Sequence, residues 1–349
     1  MATTSAPSPS NDAIGGLRRL RRTSGRLFFR GISGFLIRRI FLGALTLAIV
    51  SIIIFAATQA LPSDPARAIL GRTATPDSLK ALRVQLDLNH SVFHQYTHWL
   101  GGFVTGDLGN SLAARGEPVT TVLGKRLENS SVLVLLAGIF SIPLSILLGV
   151  LAARRRDGPL DHSLSLGLLA FAALPEFVVG IGLVLLFATR VFHVLPAVSL
   201  IPPEDAPWQH LKALVLPTVT LVLAVSPYVA RIMRASMVEV LESDFVEMAR
   251  LKGMPERHVL WRHAVPNAIA PAIQVIALNL AYLAGGIVVV EFVFAYPGIG
   301  SALVDAVANR DLPIVQALAV LIAAVYVGCN VLADIATILV SPRLRTSLR

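Results

Sequence analysis

Six long apolar runs decide what this chain can fold into. They cover residues 40–61, 131–153, 163–189, 213–230, 264–290 and 312–333, and the single charge inside all of them is Glu176. A helix of roughly 20 apolar residues crosses a hydrocarbon core of about 30 Å, so each run is long enough to span a membrane. A membrane β-strand needs only about 9–11 residues of alternating polarity, a pattern these runs lack, which excludes a barrel. Pro143, Pro175, Pro217 and Pro227 interrupt the runs. Packed membrane helices tolerate such breaks because neighbouring groups satisfy the freed carbonyls. The expected fold class is an all-α polytopic membrane protein with six transmembrane helices.

Composition agrees. Of 349 residues, 55% are hydrophobic and 15% charged, and the mean hydropathy is +0.71. A soluble domain carries about 25% charged residues. The one cysteine, Cys329, excludes a disulfide framework and any cysteine-based zinc site. A net charge of +9 taken alone would suit a nucleic-acid partner, but its distribution points to the lipid bilayer. With the N-terminus in the cytoplasm, 20 of the 30 Lys and Arg residues fall in 1–39, 154–156, 231–263 and 343–349. Seven of the other ten lie in the 62–130 segment. That segment exceeds the roughly 60 residues over which the positive-inside rule operates. Both termini are expected in the cytoplasm, and no nucleic-acid partner is expected.

Outside the spans, residues 1–34 are rich in Ser, Pro, Gly and Arg and read as a mobile basic tail. Their arginine run would equally suit an interfacial helix on anionic lipid. A cleaved signal peptide does not fit, because the first apolar run is too long and lacks a small-residue cleavage site. The transmembrane domain is expected over 35–345, with 62–130 external. Within it, 75–88 reads as a helix capped by Thr75 with Pro76 in first position, and 92–103 as a second. Residues 106–116 are glycine-rich and turn-like.

The 231–266 loop, expected in the cytoplasm, carries the most information. Asp244 suits a helix N-cap and Glu247 completes a capping-box pattern. A short helix over 245–252 puts Phe245, Met248 and Ala249 on one face. Gly253 stands where a left-handed stop is wanted, Pro255 suits the next first turn, and Pro266 marks re-entry into the membrane. A short helix with one apolar face and charged flanks is suited to docking in a groove of a soluble partner.

The stretch Asp244-Phe-Val-Glu-Met-Ala-Arg-Leu-Lys-Gly253, with Trp261-Arg-His-Ala-Val-Pro266 after it, resembles the "EAA" loop of permeases from binding-protein-dependent ABC importers. Glu247, Met248 and Ala249 stand at the motif core, and Met248 departs from the usual alanine while keeping an apolar knob. Three further stretches are similar to the dipeptide/oligopeptide branch. They are Gln95 through Ser111 with its Gly106-Asp-Leu-Gly109, Glu291-Phe-Val-Phe-Ala-Tyr-Pro297-Gly-Ile-Gly300 with Asp305 and Arg310-Asp311, and Ser341-Pro-Arg-Leu-Arg345. The resemblance covers residues 35–345. It implies a type I importer permease whose coupling residues are Asp244, Phe245, Glu247, Met248, Ala249, Arg250 and Gly253. It also implies a second, similar permease, two cytoplasmic ATPases, an external solute-binding protein and a prokaryotic inner membrane. No Walker-type glycine loop occurs here, so ATP and Mg are expected on partner chains, with no cofactor in this one. Peptides are the expected cargo; nickel chelates and glutathione are alternatives within the branch.

Glu176 is a functional candidate because ionisable groups inside spans are rare. With Pro175 it stands as a candidate pathway residue, able to attract a peptide amino terminus. The plainer readings are a protonated acid bonded to a neighbouring helix and a carboxylate at a helix break. Glu291 is a candidate gate at the outer mouth, although pairing with Arg310 is favoured. Asp334 is expected to pair with Arg343 or Arg345. A proton-coupled transporter using Glu176 and Asp334 is disfavoured because no repeated broken helices are visible. A membrane enzyme ranks last for want of a catalytic motif. His90, His94 and His98 would stack on one helix face, but no further ligand is set beside them and no metal is expected.

Overall fold

A computed structural model of the chain describes residues 11–60, 75–85, 89–114 and 116–340, with the backbone alone at 11–33, 82, 85, 284 and 337–340. The described residues are helical, with a single isolated bridge between Asn110 and Pro118 and no strand. All six apolar runs become spans. They are α1 (Asn11–Gln59), α4 (Val119–Arg154), the pair α5 (Pro159–Ala173) and α6 (Glu176–Val184), α7 (Leu211–Leu241), α10 (Val265–Val293) and α12 (Leu312–Val340). Two helices, α2 (Pro76–Gln85) and α3 (Val92–Thr105), lie between the first two spans. The short α8 (Asp244–Leu251) and α9 (Glu256–His258) lie between α7 and α10, and α11 (Ile299–Ala308) precedes the last span.

Three features add detail to the sequence expectations. The backbone of 11–34 is helical and continuous with the first span, in a stretch read from sequence as a mobile tail or an interfacial helix. Leu and Arg, which recur there, are good helix formers, and the span below supplies the nucleus. The third span is broken, with α5 and α6 meeting at 102°. Pro175 has no N–H to give to the Phe171 carbonyl, which instead accepts from the Leu174 N–H at 3.3 Å. The Tyr228 hydroxyl donates to the neighbouring Ala172 carbonyl at 3.3 Å. The expected helix over 75–88 is present over Pro76–Gln85, with 86–88 outside the described residues; Thr75 caps it through its Oγ1 to the Ser78 N–H at 3.2 Å.

The core lies where α4, α7 and α10 meet. Leu133 and Ala137 of α4 pack with Leu221, Val225 and Val229 of α7 and with Leu283, Ile287 and Val290 of α10, all buried. Further along α4 and α7, Gly149 lets the two backbones approach. A Cβ there would stand 2.7 Å from Met233 Cβ and 2.8 Å from the Ala230 carbonyl oxygen. Small residues at such crossings permit the close packing on which membrane helix association depends. Gly149→Ala is expected to lower the thermal stability of the detergent-extracted protein by about 1–3 kcal/mol, the usual cost of overpacking. An unchanged melting temperature would show that α4 and α7 can part without loss.

α1 attaches at the edge, against α12. Arg39 Nε lies 3.0 Å from Asp334 Oδ2, and Gly43 leaves room for Val327. Asp334 is thus paired with a residue from the other end of the chain; Arg343 and Arg345 lie outside the described residues. At the opposite end of α1, Phe55 meets the rings of Tyr96 and Trp99 on α3, and Gln59 donates to Gln95 at 2.7 Å. The large exposed apolar side chains of α1 and α4, such as Phe41, Ile53, Leu135 and Phe140, face outward, as a membrane protein requires.

Candidate functional site

The 231–266 loop is a folded unit. Ser243, one residue before the expected position, is the N-cap of α8, and its hydroxyl turns back to the Val240 carbonyl at 2.5 Å. Asp244 and Glu247 therefore sit in the first turn, where the helix dipole favours carboxylates, without closing a capping box. The helix ends as expected. Gly253 takes φ 75°, its N–H donates to the Arg250 carbonyl at 2.9 Å, and the Met254 N–H reaches the Ala249 carbonyl at 3.3 Å. That is a Schellman stop, completed by Met254 packing beside Ala249.

The two faces of α8 differ from expectation at one residue. Val246 and Ala249 turn inward against Val259, under Val240, Leu241 and Met254. Ala249 is thus a packing residue of the loop rather than part of its outer face. Phe245 and Met248, 47% and 53% exposed, remain outside together with Leu251. Glu247 is exposed beside them and makes no ion pair among the described residues. Arg250 is committed within the loop: its Nε and Nη2 donate to the two Glu256 oxygens at 3.2 and 2.9 Å. That bonding holds the guanidinium above its ordinary pKa. The result is a preformed, stapled helix with an unpartnered apolar ridge.

Charged pairs tie this loop to the third span. Glu242, at the end of α7, pairs with Arg156. One turn into α5's side of the same junction, Asp161 accepts a bidentate bond from Arg234 of α7, at 2.6 and 2.5 Å. The Asp157 N–H and the Ser165 hydroxyl complete its shell at 3.0 and 3.3 Å. The sequence reading did not single out this pair. Arg234 was counted among the positive-inside charges, and Asp161 falls two residues ahead of the run at 163.

A cavity of about 1330 Å³ opens between α5, α7 and α10, walled by Asp161, Arg234, Arg231, Tyr228, Asn279 and Tyr282. At the helix break above it, the Tyr282 hydroxyl donates to Glu176 Oε2 at 3.0 Å. Glu176 is half-buried, the first residue of α6, with Pro175 as its N-cap.

Glu291 is placed differently from both expectations. It is wholly buried and accepts from the Ser130 hydroxyl at 2.5 Å and from the Gly300 and Ser301 N–H groups at 2.7 and 3.2 Å. It therefore anchors the N-terminus of α11, is wholly shielded from the surface, and makes no ion pair with Arg310 among the described residues. Gly298 must be glycine because its Cβ would fall on the Glu291 carboxylate. Asn129 and Tyr296 lock the same turn: Asn129 donates to the Pro297 carbonyl at 2.8 Å and Tyr296 to the Asn129 carbonyl at 2.7 Å. A second knot joins two stretches that the sequence offered separately. Buried Asp311 accepts from the Ser111 hydroxyl and from the Ala113 N–H at 3.1 Å. On α3, His94 and His98 stack with ring centroids 6.3 Å apart, and His90, just before the helix, lies tilted against His94 at 4.7 Å.

Six apolar spans, with a cavity between α5, α7 and α10 and the folded α8 unit between α7 and α10, make a polytopic membrane protein. Residues 145–346 match the family of binding-protein-dependent transport system inner membrane components, and 32–147 match the N-terminal region of such membrane components. The chain belongs to this family. A probable peptide ABC transporter permease protein of Sinorhizobium fredii is 39% identical, covering 89% of this chain and 99% of its own length. The glutathione transport system permease protein of Escherichia coli is 34% identical over 86% of this chain and 95% of its own. An oligopeptide transport system permease protein of Bacillus subtilis is 31% identical, over 90% and 99%.

Proposed function

We propose that this chain is one permease subunit of an ATP-driven importer that carries peptides across a prokaryotic inner membrane. The observation that carries the reading is α8, an eight-residue helix stapled in place while, among the described residues, nothing covers its Phe245 and Met248 ridge. A preformed amphipathic helix of this kind suits a groove on a soluble partner. The partners are two cytoplasmic ATPases, which bind ATP and Mg, a second homologous permease and an external binding protein. Asp244, Phe245, Glu247, Met248 and the Gly253 stop form the contact; Ala249 and Arg250 shape it from within. The Lys and Arg distribution supports both termini and this loop in the cytoplasm. The names of the relatives support peptide cargo, and glutathione, itself a small peptide, is the alternative within that class.

Proteoliposomes holding the assembled complex test the reading. Uptake of a labelled peptide is expected only with binding protein outside and ATP on the α8 side. Uptake driven by a proton gradient in the absence of ATP would overturn it in favour of a secondary transporter.

A further inference from the structure

Glu176 sits inside a span with no resident cation. Among the described residues it makes no ion pair; its one bond is the Tyr282 hydroxyl on Oε2, at 3.0 Å. The cavity's buried acid, Asp161, is already matched by Arg234. Oε1 is left open on the side of Gly286, one turn beyond Tyr282. A Cβ at Gly286 would stand 3.3 Å from that oxygen and 3.2 Å from the Tyr282 ring, so the missing side chain is what leaves the space. An ionisable group inside a span is costly unless it is partnered, and among the described residues none supplies the opposite charge.

We infer that Glu176, with Tyr282 and Gly286, is a transient site for the protonated amino group of the cargo, a peptide N-terminus or a lysine side chain, as it passes the break between α5 and α6. The inference rests on the importer reading above. An ammonium group brings three donors and a compact charge, which suits one open carboxylate oxygen. Tyr282 holds the carboxylate in place by occupying its other oxygen. A fixed Lys or Arg would close the site permanently. A single carboxylate binds a passing amine through one charge-assisted bond and releases it.

The test uses the purified permease–ATPase complex with two probes, trialanine amide, which is cationic, and N-acetyl-trialanine amide, which is neutral. Thermal shift titration of the wild type is expected to show tighter apparent binding of the cationic probe. Glu176→Gln, which preserves size and the Tyr282 contact, should weaken that probe by about tenfold, the effect of one charge-assisted bond, and erase the preference. Gly286→Ala should act in the same direction by crowding the open oxygen. Equal binding of both probes by the wild type, or an unchanged preference in Glu176→Gln, overturns the inference and leaves Glu176 a carboxylate that Tyr282 satisfies. ATP-driven peptide uptake by the same wild-type preparation is measured alongside. Uptake without amine preference sinks only this site, whereas absence of any ATP-driven uptake sinks the importer reading and the site with it.

Discussion

Gly253→Pro is expected to abolish ATP-driven uptake while the subunit still inserts in the membrane. Gly253 has φ 75°, and proline is fixed near −65°, so the stop of α8 cannot form. The substitution also removes the N–H that bonds the Arg250 carbonyl. An eight-residue helix has little stability of its own and depends on its caps and on the packing of Val246 and Ala249. The spans, built from cores elsewhere, do not depend on it. Phe245→Asp separates shape from surface. Phe245 is half-exposed and outside the loop's own core, so an aspartate there leaves α8 folded but puts a charge on the ridge. Both variants should fail to retain the ATPase on purification and should lose uptake. Glu247→Arg, which reverses an exposed charge beside the ridge, should act in the same way. If all three retain the ATPase and transport normally, α8 is not the coupling element.

The spans were legible because their signal is local and long: a run of about 20 apolar residues has few other uses. The existence and ends of α8 were legible for a related reason, since the Gly253 stop is a single-residue requirement. Its facing was not. At 100° per residue Ala249 lies between Phe245 and Val246, and only the contact with Val259 decides that it turns inward. The charge partners were the least legible. Proximity in sequence suggested Arg310 for Glu291 and Arg343 or Arg345 for Asp334. The fold brings Ser130 to the first, across 161 residues; to the second it brings Arg39, nearly 300 residues away, while Arg343 and Arg345 lie outside the described residues. Local pattern carries helix type and length, while polar partners depend on which spans pack together. The break at Pro175 falls between these cases. The proline was visible, but its 102° consequence follows from how α6 leaves α5 to pack on α7 and α10.

The largest stability effect is expected at Asp161. Its side chain is almost fully buried, and Arg234 satisfies both of its oxygens, while Arg234 itself keeps about a third of its side chain exposed (30%). The two halves of the pair are therefore unequal. Arg234→Ala strands a buried carboxylate with only the Asp157 N–H and the Ser165 hydroxyl, a loss that typically costs about 3–5 kcal/mol. Asp161→Asn leaves a guanidinium that can turn to water and an amide that keeps part of the shell, so its cost should be smaller. Arg234→Lys should fall between them, because an ammonium cannot reproduce the bidentate fork. The double variant Asp161→Asn/Arg234→Gln should recover much of the Arg234→Ala loss, since no charge remains unpaired. Thermal unfolding of the four purified proteins would measure this order. If Arg234→Ala proved as stable as Asp161→Asn, the Asp161 carboxylate would have to reach solvent by another route. The pair also joins α5 to α7 less than three turns before α8 begins. A weakened Asp161–Arg234 contact should then leave ATP hydrolysis running with less uptake per ATP, because motion of the loop would no longer be carried rigidly to the broken span.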